Sequence, residues 1–170
     1  STTLSPMRYT AEIAKEKYLD CKTVFIGPCI AKRKEAEYSD NVDFVMTFEE
    51  LGSILDGMEI NLEQVAPFQI DKEAYLSSHG YGSTGGVTKA VVEHLGGPEV
   101  NALLLSNLNK KNIGLLRAYA KSGKCPNQFI EVMACENGCI SGPVTRIDKA
   151  TAAKVYTKEL ARMATERAKK

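Results

Sequence analysis

Two cysteines four positions apart, Cys135 and Cys139, follow an apolar run, Phe129 to Met133, and are separated by Glu136-Asn137-Gly138. On one helical turn, residues at i and i+4 lie roughly 5–6 Å apart at Cβ, so a turn through Asn137-Gly138 aims both sulfurs the same way. That spacing suits a metal or a cluster. The competing reading is two small, buried, inert thiols. A third cysteine, Cys29, follows another apolar run, Thr23 to Ile26, and the break Gly27-Pro28. Glycine permits unusual backbone angles and proline lacks a donor, so a strand ends there. Cys21 and Cys125 instead precede their strands. A five-residue strand is roughly 17 Å long, which predicts Cys29, Cys135 and Cys139 at one rim of a sheet and Cys21 and Cys125 away from it.

The elements that position these thiols alternate. Ser5-Pro6 reads as a helix start, with Met7, Ile13, Ala14 and Tyr18 as a partial apolar face. Thr23 to Ile26 reads as a strand buried on both faces. The charged stretch Lys32 to Asp40 reads as a solvated helix or loop. Phe44-Val45-Met46 is the next strand, and Thr47 with Glu50 forms a capping box for a helix ending near Gly57. Met58 to Ser78 shows no sustained period. The glycine-rich run Gly80 to Gly86 then opens a helix from about Val87 to Leu95. Its spacing matches neither the dinucleotide fingerprint nor the P-loop, so a tight turn is favoured over a phosphate site. Ala102 to Leu105 is a third buried strand, Asn109 and Gly123 bracket a helix, and Phe129 to Met133 is the fourth strand. From Asp148 onward, Ala152, Val155, Leu160 and Met163 mark one face of a long terminal helix. This alternation predicts an α/β fold with a mostly parallel sheet of about four strands, in one domain over 1–170. Ligands of such sheets gather beyond the carboxyl ends of the strands.

Composition narrows the function. The 170 residues are 44% hydrophobic and 25% charged, with a net charge of +1, so no electrostatic case for nucleic acid or a membrane surface exists. Ser1 to Thr10 has no apolar segment of the secretory kind, and no run is long enough to span a membrane, which predicts a cytoplasmic protein. Five cysteines in a chain of this size favour metal or redox chemistry in a reducing compartment over disulfides.

The motifs carry a resemblance. Gly27-Pro28-Cys29-Ile30-Ala31-Lys32-Arg33-Lys34-Glu35 resembles the second signature of the iron-only (FeFe) hydrogenases, Met-Pro-Cys-x-x-Lys-x-x-Glu. Glu131-Val132-Met133-Ala134-Cys135-Glu136-Asn137-Gly138-Cys139 resembles the third, Glu-x-Met-Ala-Cys-x-x-Gly-Cys. Ser83-Thr84-Gly85-Gly86-Val87 resembles the Thr-Gly-Gly-Val that precedes a helix between them, and the likeness runs from about Leu4 to Gly142. It implies one lobe of a two-lobed hydrogenase domain and the H-cluster, a four-iron cubane joined to a two-iron unit bearing CO and cyanide. Cys29, Cys135 and Cys139 are then cubane ligands, with Cys139 the bridge. Lys32 donates to a cyanide, Met133 lines the two-iron pocket, and Glu35 belongs to a proton path.

Three departures qualify the resemblance. The first signature, Thr-Ser-Cys-x-Pro, has no match, which implies an absent N-terminal lobe supplying the fourth cysteine. Gly27 replaces a methionine, and the usual Gly-Gly-Gly-Gln-Pro is reduced to Ser141-Gly142-Pro143, as in sensory branches of the family. The resemblance thus implies a part of a protein that interconverts or senses hydrogen, with an electron-transfer partner or further iron–sulfur domain. The alternatives are a non-catalytic hydrogenase-like iron–sulfur assembly protein, and a structural zinc module using Cys29, Cys135, Cys139 and His79.

Overall fold

The computed structural model describes residues 3–68, 74–97 and 99–168, which form two compact units. The first comprises the chain up to Pro67 together with Pro143–Arg146, and the second comprises Phe68–Gly142 with Ile147 onward.

In the first unit, α1 (Pro6–Lys17) begins with the Ser5 hydroxyl accepting from the Arg8 N–H (3.4 Å) and with proline at its first position. Strands β1 (Val24–Gly27) and β2 (Phe44–Thr47) pair in parallel, Val24 against Phe44 and Gly27 against Thr47. Between them lies the short helix α2 (Ala31–Ala36), and α3 (Phe48–Gly57) follows β2. The expected capping box is present: the Glu50 N–H donates to Thr47 Oγ1 (3.2 Å) and the Thr47 N–H to Glu50 Oε2 (2.8 Å). The core is Met7, Ala11 and Val42 against Phe25, Ala36 and Val45. The inward face of α1 is therefore the i, i+4 pair Met7 and Ala11, while Ile13 and Tyr18, expected on that face, are exposed. Strand β1 is covered on one face alone, since Val24 and Ile26 are 46% and 41% exposed. Period-2 alternation explains this: Phe25 and Val45 face α1 and their neighbours point away.

A polar clasp closes the start of this sheet. Asp43 accepts from the Thr23 N–H (2.8 Å) and pairs with Lys15 (2.7 Å) and Lys22 (3.1 Å). In return the Asp43 N–H donates to Thr23 Oγ1 (3.1 Å).

In the second unit, β3 (Ala102–Ser106) and β4 (Phe129–Met133) pair in parallel, Leu105 against Val132 and Ser106 against Met133. Helix α4 (Gly86–His94) precedes β3, and α5 (Lys110–Ser122) connects the strands. Asn109 Oδ1 accepts from the Asn112 N–H (3.0 Å), and Gly123 ends α5 with φ +66°. Helix α6 (Lys149–Arg167) is capped by Asp148, which accepts from the Ala150 and Thr151 N–H groups at 3.1 and 3.0 Å. Ala152 is buried, as expected, but Val155 is 55% exposed and Tyr156 turns inward in its place. The i, i+4 step from Ala152 to Tyr156 decides that face.

The strands, their parallel sense and the long terminal helix are thus those the sequence predicts, and the four strands are divided two and two between separate sheets. Of the stretch Met58 to Ser78, residues 58–68 carry turns, 69–73 lie outside the described residues, and Leu76–Gly80 is a 3-10 turn. Among the described residues, no helix is long and apolar enough to cross a membrane.

Candidate functional site

The cysteine loop leaves β4, and its main chain is held by hydrogen bonds from three directions. Ser106, at the end of β3, donates from Oγ to the Cys135 carbonyl (3.3 Å) and accepts from the Asn137 N–H (2.9 Å). The Leu108 N–H donates to the Ala134 carbonyl (3.2 Å). On the other side, the Thr84 N–H donates to the Asn137 carbonyl (3.2 Å) and the Ile140 N–H to the Gly82 carbonyl (3.0 Å). Asn137 and Gly138 both take positive φ, 64° and 93°. A Cβ at Gly138 would stand 2.7 Å from the Gly82 oxygen and 2.9 Å from the Thr84 nitrogen, so the glycine in the motif is required by close approach as well as by its backbone angle.

The glycine-rich turn that the loop rests on is itself anchored by Glu131. This carboxylate is buried in β4, where Oε1 accepts from the Gly85 N–H (2.6 Å) and Oε2 from the Thr88 N–H (2.8 Å) and hydroxyl (2.7 Å). A helix N-terminus leaves amide donors unpaired and favours negative charge. The side chain of Glu131 takes those donors, so the amino end of α4 is filled from within and no phosphate cradle is left there. Gly86 permits the turn to close, because a Cβ there would lie 1.9 Å from the Gly80 oxygen.

Tyr156 of α6 completes the support. Its Oη accepts from the Gly82 N–H (3.0 Å) and donates to the His79 carbonyl. Burial pushes the Tyr156 phenol above its ordinary value, and the neighbouring Cys139 raises it further against the opposing Gly82 hydrogen bond. His79 joins this network through its main-chain oxygen. Neither Tyr156 nor Ser106 is visible in the sequence as part of a site. Glu131 carried one signal, a carboxylate inside an apolar strand, which burial makes costly unless donors surround it.

In the first unit, Cys29 is half-buried just past β1, and the Val144 N–H donates to the Pro28 carbonyl (3.5 Å). Lys32 lies on α2 and pairs with Glu35 at i, i+3, and the Ser5 hydroxyl donates to the other Glu35 oxygen. Burial pushes the Glu35 carboxyl up, but hydrogen bonds from Lys32 and Ser5 and the charges of Lys32 and Arg8 outweigh it, leaving it below its ordinary value. Lys32 and Glu35, predicted as separate actors, are thus direct partners. Met133 closes β4, partly buried, opposite Ser106.

No disulfide joins any of the five cysteines. Cys135 and Cys139 lie beyond the carboxyl end of β4 and Cys125 before its start, and Cys29 and Cys21 flank β1 in the same sense. Thiols are donors of the kind an iron–sulfur cluster takes, and the second unit's loop supplies two, Cys135 and Cys139, where a cubane needs four. Among the described residues, no three His, Cys, Asp or Glu side chains are grouped to hold a metal ion. The donors fit in kind, then, and fall short in number.

Residues 1–143 match the C-terminal domain of the iron-only hydrogenase large subunit, and the chain belongs to that family. It is 26% identical to the cytosolic Fe-S cluster assembly factor narfl of Xenopus tropicalis, over 78% of this chain and 37% of that protein. With iron hydrogenase 1 of Clostridium pasteurianum it shares 27% identity, over 84% of this chain and 33% of the hydrogenase. The fold is similar to that of an FeFe hydrogenase of Chlamydomonas reinhardtii, with a TM-score of 0.63 at 22% identity, covering 91% of this chain and 58% of that one. The chain spans about a third of the length of these curated relatives.

Proposed function

We propose that this chain is the C-terminal part of a hydrogenase-like protein that holds an iron–sulfur cluster, with Cys29, Cys135 and Cys139 each contributing a thiolate and a segment outside this chain contributing a fourth. The observation that carries the reading is the cysteine loop, whose backbone is fixed by Ser106, Thr84 and Gly82 so that two thiols leave one short, rigid segment. A loop with preset geometry binds metal without the cost of ordering.

The finer reading is that the parent interconverts or senses hydrogen on an H-cluster in the cytoplasm. When bound, that group supplies the redox chemistry of hydrogen. Of this chain's residues, Lys32 would donate to an anionic ligand, Met133 would present an apolar wall, and Glu35 would accept and pass on a proton. The Lys32–Glu35 pair supports placing those roles side by side, since it joins the ammonium donor to an ionised carboxylate able to accept a proton. Electron transfer to a partner or a further iron–sulfur domain belongs to the same reading. The second reading, a non-catalytic assembly role, is favoured by the likeness to the narfl assembly factor and uses the same thiols.

Anaerobic reconstitution with iron and sulfide tests the shared part. The chain alone should fail to retain four irons, the full-length parent should retain them with a visible iron–sulfur spectrum, and Cys135→Ser or Cys139→Ser in the parent should abolish it. Stable four-iron binding by the chain alone would show that all four ligands lie within it, and a colourless zinc protein would overturn the iron reading. Hydrogen turnover, with infrared bands of carbonyl and cyanide in the matured parent, separates the hydrogenase from the assembly protein.

A further inference from the structure

The residue that ties the C-terminal helix to the cysteine loop lies outside the 1–143 stretch matched to the family. Gly82 is used on both sides of its residue: its N–H donates to Tyr156 Oη (3.0 Å), and its carbonyl accepts from the Ile140 N–H (3.0 Å). Cys139 is bracketed by Gly138, packed against Gly82 and Thr84, and by Ile140, bonded to Gly82. A Cβ at Gly82 would stand 3.0 Å from Tyr156 Oη and 3.2 Å from Ile140 Cγ2, so helix, turn and loop meet without spare room. The second bond of the phenol, to the His79 carbonyl, pins the preceding 3-10 turn to the same oxygen.

We propose that Tyr156 is a positioning residue for the Cys135–Cys139 loop, its phenol oxygen fixing the 79–82 turn on which the residues flanking Cys139 rest. The proposal deepens the reading of Cys135 and Cys139 as cluster ligands and rests on it for its purpose. A phenylalanine keeps the ring and removes only the oxygen. The Gly82 N–H and the His79 carbonyl then lose a partner, and a buried polar group without one favours an opened turn. The turn and the loop should open together, because the Gly82 carbonyl that takes the Ile140 N–H moves with the turn.

Residue-resolved amide exchange on the whole chain tests this. Tyr156→Phe should speed exchange at Gly82 and Ile140 by about tenfold while Leu103 to Leu105 of β3 stay unchanged, a difference of about 1.4 kcal/mol confined to the turn and loop. Gly82→Ala, which crowds the phenol oxygen while leaving every residue of α6 unaltered, should give the same local pattern. Unchanged protection at Ile140 in both variants, or equal loss across β3, would overturn the proposal, the latter by showing that Tyr156 stabilises the unit generally. A parallel reconstitution of the parent carrying Tyr156→Phe should show iron lost faster than from the wild type. If the wild-type parent binds no iron, the ligand reading falls, while the exchange result still decides whether Tyr156 positions the loop.

Discussion

Gly138 and Asp43 show how much a single side chain, or the lack of one, decides in this molecule. At Gly138 a side chain meets two obstacles, a positive φ of 93° and main-chain atoms of Gly82 and Thr84 within 3.0 Å. Neither obstacle is a flexible side chain that can swing aside. Gly138→Ala should therefore destabilise the chain by about 2 kcal/mol or more, the sum of the conformational cost and backbone displacement. Urea unfolding measures it, and a loss below about 0.5 kcal/mol, the range of ordinary surface substitutions, would mean that the loop yields freely. At Asp43 the effect is electrostatic. Lys15, the Thr23 N–H and Lys22 hold its carboxyl well below the usual carboxylate range. A carboxyl lowered by folding adds stability above its unfolded value of about 3.9 and loses it as the pH falls toward the folded value. Stability should thus decline on acidification below about pH 4, and Asp43→Asn should flatten that decline while lowering stability at neutral pH. Urea midpoints of both proteins between about pH 2 and pH 7 check the sign, and parallel curves would sink the assignment.

At the scale of elements, the instructive pair is β4 and α4. Strand β4 contributes Glu131 to the amino end of a helix more than forty residues earlier in the chain, and that carboxylate does what a serine or aspartate N-cap does elsewhere. Gly85, at the N-cap position with φ +87°, has no side chain with which to cap its own helix. Glu131→Gln keeps the shape but turns an amide NH2 toward a backbone donor. The expected cost is about 1–3 kcal/mol, with faster exchange at the Thr88 amide, because a buried donor is left unpaired. A neutral effect on both measurements would show that one accepting oxygen suffices and that the second carboxylate oxygen is not needed to cap α4. The same reasoning explains why β4 tolerates a charge in an apolar strand: both carboxylate oxygens receive donors on the side of α4.

For the whole molecule, the test is whether Lys32 serves chemistry or folding. Its ion pair with Glu35 is partly exposed, at 23% and 28% for the two side chains. Pairs of this kind contribute about 1 kcal/mol or less, so Lys32→Ala should move the thermal midpoint of the chain by only a few degrees. In the complete, matured parent the same change should abolish hydrogen turnover if the hydrogenase reading holds. A large loss of stability with turnover retained would make Lys32 structural.

The local elements and the places of the thiols follow from short-range sequence. The capping box at Thr47 and Glu50, the Asn109 cap and the Gly123 stop all operate over a few residues, where chain connectivity brings donor and acceptor together. The two cysteine signatures are also contiguous, so their order and their place beyond strand ends were legible. Which faces of those elements are covered was not. Phe25 and Phe44 read alike in the sequence, yet one packs on α1 and the other is 60% exposed, because the division of four strands into two sheets is a long-range outcome. That Glu131 caps α4, that Ser106 and Gly82 hold the cysteine loop, and that Tyr156 reaches the turn from α6 emerges with the folded packing alone. Each is a contact between segments far apart in the chain, chosen by packing and by the need of buried polar groups for partners, and no local pattern encodes it.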